Sequence, residues 1–129
     1  MGLAPKRQWI YSKFRDCYMV DDDVTAIRRI WSKKPTDLTP EEGRAAVTNV
    51  YRAAAEMDAY LFGVCTYPHP VACSGLSPYA FSGWLNGCGM GLRWSKKLRF
   101  PSHEDCKAVE DFYISLLNAY HHRYMLVDM

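Results

Sequence analysis

The chain lacks most of the features that mark a small functional class. Its 16 basic side chains are matched by 14 acidic ones, and a net charge of +2 is far from the strongly basic balance of a nucleic-acid-binding domain. No CxxC or CxxCH spacing occurs among Cys17, Cys65, Cys73, Cys88 and Cys106, so thioredoxin-type chemistry and c-type haem attachment lack their signatures. Five is also an odd number, which excludes a complete disulfide framework and favours buried thiols in a reducing compartment. Internal repeats are absent. Pro68, Pro70, Pro78 and a glycine cluster interrupt every apolar window long enough to span a bilayer. Residues 1–15 have no continuous apolar core, so a secretory signal is not expected.

What the chain does have is aromatic side chains: nine Tyr, five Phe and four Trp in 129 residues. With 49% apolar and 23% charged residues, it reads as one folded domain rather than a disordered segment. A domain this small has difficulty hiding that many rings, so some are expected to meet a partner. The first 20 residues read as a basic amphipathic arm. Lys6, Arg7, Lys13 and Arg15 precede the first acid, Asp16, while Trp9, Ile10 and Phe14 lie at helical spacing. That character suits a mitochondrial import segment, or equally a helical arm docked by its apolar stripe.

Three stretches predict helices, giving an all-α fold for a single domain over 1–129. Asp21-Asp22-Asp23 precede Val24, Ile27, Ile30 and Trp31 on one face, and Pro35 closes a helix near 23–34. Thr39, Pro40 and Glu42 form a capping box for a helix near 40–62, with Val47, Val50, Ala54, Met57 and Leu61 as its stripe. Ser102 and Asp105 open a third near 103–126, whose broad apolar face runs from Val109 and Phe112 through Leu116 to Tyr124. Residues 63–101 hold six of the eight Gly and four of the seven Pro, so an irregular segment is expected there, with at most a short helix between Ser77 and Gly87. No Asp, Glu, Lys or Arg occurs from Ala59 to Leu92, a run of 34 residues. Such a stretch suits burial against other chains or a membrane surface better than life as a solvated loop. Tyr60, Phe62, Tyr67, Tyr79, Phe81 and Trp84 are its candidate partner contacts, together with Trp9 and Phe14 of the arm. The cluster Arg93, Lys96, Lys97 and Arg99 follows at once and suits anionic lipid headgroups.

Candidate chemistry is sparse. Cys65, His69, Cys73 and Cys88 have the atoms for zinc, but not the spacing of a closed structural site, and no metal or cofactor is expected. His121 and His122 are adjacent, so their rings diverge on a helix, and a helix C-terminus explains them without catalysis. No local signature supports a Cys–His nucleophile. Gly87-Cys88-Gly89-Met90-Gly91 lacks the Lys-Ser/Thr of a phosphate loop and reads as flexible turns.

Arg15-Asp16-Cys17-Tyr18-Met19-Val20-Asp21-Asp22-Asp23-Val24-Thr25-Ala26-Ile27-Arg28-Arg29 resembles subunit 7 of mitochondrial respiratory complex III, the ubiquinol–cytochrome c reductase binding protein family. Val50-Tyr51-Arg52-Ala53-Ala54 and the stretch from Lys107 to Ile114 are similar to later segments of that family. Ile30-Trp31 replaces the family's Leu-Pro, only Phe100-Pro101 survives of its Leu-Pro-Lys-x-x-Trp, and 63–99 has no counterpart. The resemblance implies an all-helical, non-catalytic accessory subunit on the matrix side of the mitochondrial inner membrane. It would carry no redox centre and would bind cytochrome b and core subunits, with Arg28 and Arg29 as partner or headgroup contacts. The competing classes are a stand-alone soluble helical adaptor, a small Cys/His enzyme, and an organellar nucleic-acid-associated subunit, although no nucleic acid is expected from the charge balance.

Overall fold

Helices are separated by runs of strands along the chain: α1 (Leu3–Phe14), β1 (Cys17–Val20), β2 (Arg28–Arg29), β3 (Thr36–Asp37), α2 (Pro40–Glu56), β4 (Leu61–Val64), β5 (Tyr79–Ala80), β6 (Gly89–Leu92), α3 (Glu110–His122) and β7 (Leu126–Asp128). The computed structural model describes residues 2–30, 34–66, 77–102 and 109–129. Five strands form one mixed sheet in the order β1-β6-β4-β7-β5, in which only the β4–β7 pair is parallel. The fold is therefore α/β, which overturns the all-α expectation and with it the helical fold that the resemblance implied.

Period-two alternation divides the sheet into two faces. Met19, Leu61, Met90, Leu92 and Val127 pack on one side with Ala4 and Tyr11 of α1, Ile114 of α3, and Leu85, Leu98, Phe100 and Met125. Phe62 and Leu126 point the other way, onto Val50 and Ala54 of α2, with Tyr18, Tyr51 and Val64 around them. The result is three layers: two helices, a sheet and a third helix.

The departures from the sequence reading have identifiable causes. The capping box is present, with Glu42 N–H donating to Thr39 Oγ1 (3.2 Å) and Thr39 N–H donating to Glu42 Oε2 (2.9 Å). The helix it opens ends at Glu56 rather than 62, because Asp58 turns to φ +57° and sends Leu61–Val64 into the middle of the sheet. The predicted helix at 23–34 is absent from its described residues. Asp21 gives its carboxylate to Arg7 instead of a helix end, and Arg28–Arg29 pairs with Thr36–Asp37 as a small hairpin. The third helix is described from Glu110 and stops at Arg123 (φ +74°), so Leu126 lies on a strand. Its expected opening at 103–108 lies outside the described residues.

Residues 63–101, expected to be irregular, contribute the end of β4 and all of β5 and β6, and Ser77–Gly87 forms β5 and turns rather than a short helix. Gly89-Met90-Gly91-Leu92 is a buried inner strand, not a flexible turn. Its glycines lie on the α2 side, where a Cβ on Gly89 would meet the Tyr18 hydroxyl and one on Gly91 would meet the Phe62 ring. The two rings lie across β6 because it has no side chains there.

Candidate docking face

Helix α3 is built with its polar side inward. Glu110, Ile114, Ser115 and Asn118 are buried, whereas Val109, Phe112, Leu116 and Tyr120 are exposed, Tyr120 by 73%. These buried polar side chains are tied to the rest of the chain, although Asn118 Oδ1 is buried without a hydrogen-bond partner. Glu110 lies 3.3 Å from Arg7, Ser115 Oγ accepts the Leu85 N–H at 3.0 Å and donates to Asp111 O, and Asn118 Nδ2 donates to Tyr124 O at 3.0 Å. The outward stripe follows 3-4-4 spacing and contains no charged residue. Trp84 stands edge-on to Phe112, with centroids 6.2 Å apart, and extends the apolar surface to the 79–84 segment, where Tyr79, Phe81 and Trp84 are each about half exposed.

The inward side is anchored by a network that sequence reasoning missed. Arg7 is 3% exposed, donates to Asp21 Oδ1 at 2.6 Å and to Gly87 O at 2.7 Å, and faces Glu110. Asp111 Oδ2 accepts the Gly87 N–H at 3.0 Å. One guanidinium thus ties α1 to the end of β1, the 83–88 loop and the start of α3. The signal was in the sequence: Ala4, Arg7 and Tyr11 have helical 3-4 spacing, but an arginine at its centre reads as a solvated face. As a result α1 docks through these three residues. The expected docking stripe divides: Ile10 packs partly buried against the core, whereas Trp9 and Phe14 point outward, 58% and 59% exposed.

The other expected contacts divide. Phe62 is 1% exposed and belongs to this chain's own core, and Tyr60 is partly covered by His122, stacked at 4.0 Å. Arg28 pairs with Asp37 at 2.6 Å and Arg29 with Glu42 at 3.8 Å, both exposed. Arg93 lies over the Tyr60 ring and bonds Asp58 at 3.3 Å, while Lys96, Lys97 and Arg99 are exposed beside α1. Tyr67 lies outside the described residues.

The arrangement closest to catalytic geometry is Ser95 with His122, Oγ to Nε2 at 2.8 Å. Burial lowers the His122 pKa from its usual value, as do His121 and Lys97, against an opposing pull from Asp58. Two of the amides around the pair are already committed. Ser95 N–H donates to the Tyr11 hydroxyl at 2.7 Å, and Lys97 N–H to Ser95 Oγ at 3.2 Å. The pair ties the end of α3 to the turn after β6. Tyr11 beneath it donates to Arg93 O at 3.0 Å, and burial pushes its phenol up to about 12. Burial and the adjacent Asp16 push the Cys17 thiol up to about 11, away from nucleophilic use.

Among the described residues no three His, Cys, Asp or Glu side chains gather as metal ligands, and no helix is long and apolar enough to cross a membrane. His69 and Cys73 of the zinc candidate lie outside the described residues. A shallow groove of about 430 Å³ lies between Thr25–Ile27 and the first turns of α2. Its lining of Val20, Ile27, Leu38 and Val47 brings no acid–base pair together. Comparison with family models, curated proteins and solved structures returned no match.

Proposed function

We propose that this chain is a non-catalytic docking domain that binds a partner protein through the outer stripe of α3 and the adjoining Tyr79, Phe81 and Trp84. The observation that carries this reading is the inversion of α3. A surface helix normally turns its apolar stripe to the core, whereas this one buries Glu110, Ser115 and Asn118 and presents Phe112, Leu116 and Tyr120 to water. The sheet and the Arg7 network hold that stripe rigidly, so a partner would order few side chains on binding. The non-catalytic part of the reading is supported by the structural use of the Ser95–His122 pair, which ties the end of α3 to the turn after β6.

The test is copurification from cells expressing the tagged chain, with mass spectrometry of captured proteins, beside a Phe112→Ser/Leu116→Ser variant. The variant is expected to melt at the wild-type temperature and to lose the specific partner. Equal capture by both proteins would overturn the reading. The resemblance to complex III subunit 7 suggested a narrower form, in which the partners are cytochrome b and core subunits on the matrix side of the mitochondrial inner membrane. The five-stranded sheet takes away that form's structural support, and the same capture experiment tests it by the identity of the proteins recovered.

A further inference from the structure

A second surface, separate from the α3 stripe, combines exposed cations with outward aromatic rings. The segment 94–100 runs alongside α1 in the opposite direction. Arg15 lies over the Trp94 ring at 5.2 Å, the Tyr11 hydroxyl meets Ser95, and Gln8 Oε1 accepts the Phe100 N–H at 2.7 Å. This sets α1, which carries Lys6, Lys13 and Arg15, alongside the segment that carries Lys96, Lys97 and Arg99, with Arg93, paired with Asp58, at its start. Among the described residues, the carboxylates that contact this face are engaged: Asp16 accepts from Trp94 N–H and the Tyr51 hydroxyl, and Asp58 accepts from Arg93. The cations of the hairpin, by contrast, are paired with Asp37 and Glu42. Apart from the buried Arg7, seven of the chain's 16 cations therefore lie along α1 and the 93–99 segment, and with Asp16 and Asp58 counted beside them the remainder of the chain carries nine against 12 acids.

Among these cations Leu3, Trp9 and Phe14 point into water, 43%, 58% and 59% exposed. We infer that the face formed by α1 and residues 93–99 binds the surface of an anionic lipid bilayer. The cations would lie at the headgroup phosphates, and Trp9, Phe14 and Leu3 would enter the boundary with the acyl chains. Trp and Lys are suited to that boundary, since one has an amphipathic ring and the other an apolar stem below its charge. A nucleic acid offers the same phosphate charge but fits the apolar residues less well. The Lys13 ammonium already lies over the Trp9 ring at 4.9 Å and Phe14 stands edge-on to it, which leaves poor access for a stacked base, and Leu3 has no use there.

The test is co-sedimentation of the full chain with phosphatidylcholine vesicles, with and without 30 mol% phosphatidylserine. Each cation near an anionic surface is worth about fivefold in partitioning, so Lys96→Glu/Lys97→Glu is expected to reduce binding to the anionic vesicles at least tenfold. Trp9→Ser/Phe14→Ser is expected to reduce it as well, and added salt to weaken the wild type. Both variants change exposed side chains and should keep the wild-type melting temperature. The docking variant Phe112→Ser/Leu116→Ser should bind vesicles as the wild type does, so the two surfaces are tested separately. The inference is overturned if neutral and anionic vesicles bind equally, if neither binds, if the α3 variant rather than the α1 variant loses binding, or if the face prefers a single-stranded oligonucleotide to vesicles.

Discussion

Gly91→Ala is the most direct probe of how this sheet was built. Gly91 lies opposite Tyr18 on β1 and Phe62 on β4, and a Cβ there would fall under 3.0 Å from three atoms of the Phe62 ring. The ring has little room to yield. It is 1% exposed and held by Tyr18 and Tyr51, with centroids 6.1 and 5.7 Å away, over Val50, Ala54 and Leu126. Overpacking a closed core costs about 1–3 kcal/mol, and a clash with backbone-borne carbon belongs at the upper end. Restricting the unfolded chain by one methyl returns about 0.4–1 kcal/mol, leaving a net loss of about 2 kcal/mol. For a chain of this size that is a fall of about 8 °C in melting temperature, measurable by circular dichroism. Phe62→Leu in the Gly91→Ala background should recover part of the loss, because the smaller side chain vacates the space the methyl needs. A melting temperature within 2 °C of wild type for Gly91→Ala, or losses that simply add in the double variant, would refute the packing described here.

Three further outcomes follow from the described contacts. Arg7→Ala leaves Glu110 buried and Asp21 without its cation, and should cost about 3–5 kcal/mol in urea denaturation, whereas an unchanged midpoint would mean that water reaches the site. Thr39→Ala removes one half of the capping box and should cost about 1 kcal/mol, with Thr39→Ser restoring most of it in the same assay. Burial lowers the pKa of His122 below its unfolded value of 6.5, so the unfolded chain binds the extra proton first. Stability from this site is therefore present above that value and is lost as the pH falls toward the folded pKa, and His122→Gln should flatten that part of a melting-temperature profile.

The elements legible in the sequence were those with local causes. Thr39, Pro40 and Glu42 announce a helix start through bonds made within four residues, and the structure places α2 there. The sheet has no such local signature. β5 is two residues long, β7 is three, and β6 alternates glycine with apolar side chains, so no window showed a β-branched run. Their pairing depends on partners far apart in the chain: Gly89 with Val20, Phe62 with Leu126. The acidic run at 21–23 was misread for a related reason. A carboxylate at a helix start and one bound to a distant guanidinium look alike in sequence, and only the fold shows that Asp21 reaches Arg7. In α3 the periodicity was correct, but it carried no direction. Spacing identifies a stripe, but which side of the helix meets the core is decided by the partners of Glu110, Ser115 and Asn118.

The absence of charge from Ala59 to Leu92 now has two separate causes. Leu61–Phe62–Gly63 and Gly89–Leu92 are inner strands covered by helices on both faces, and a charge there would be buried without a partner, so their composition needs no second chain. Tyr79, Phe81 and Trp84 lie on and after the edge strand β5, and burial in the core does not explain them. These three rings and Phe112 each leave about half of ~150–250 Å² in water, roughly 300–500 Å² from four side chains. Leu116, Tyr120 and Val109 continue the same surface, so the total passes the ~300–600 Å² of the largest apolar patch on a typical monomer. The case for a partner therefore moves away from the length of the uncharged run. It rests on the joining of Trp84 to Phe112, which turns two modest exposures into one surface large enough to need covering.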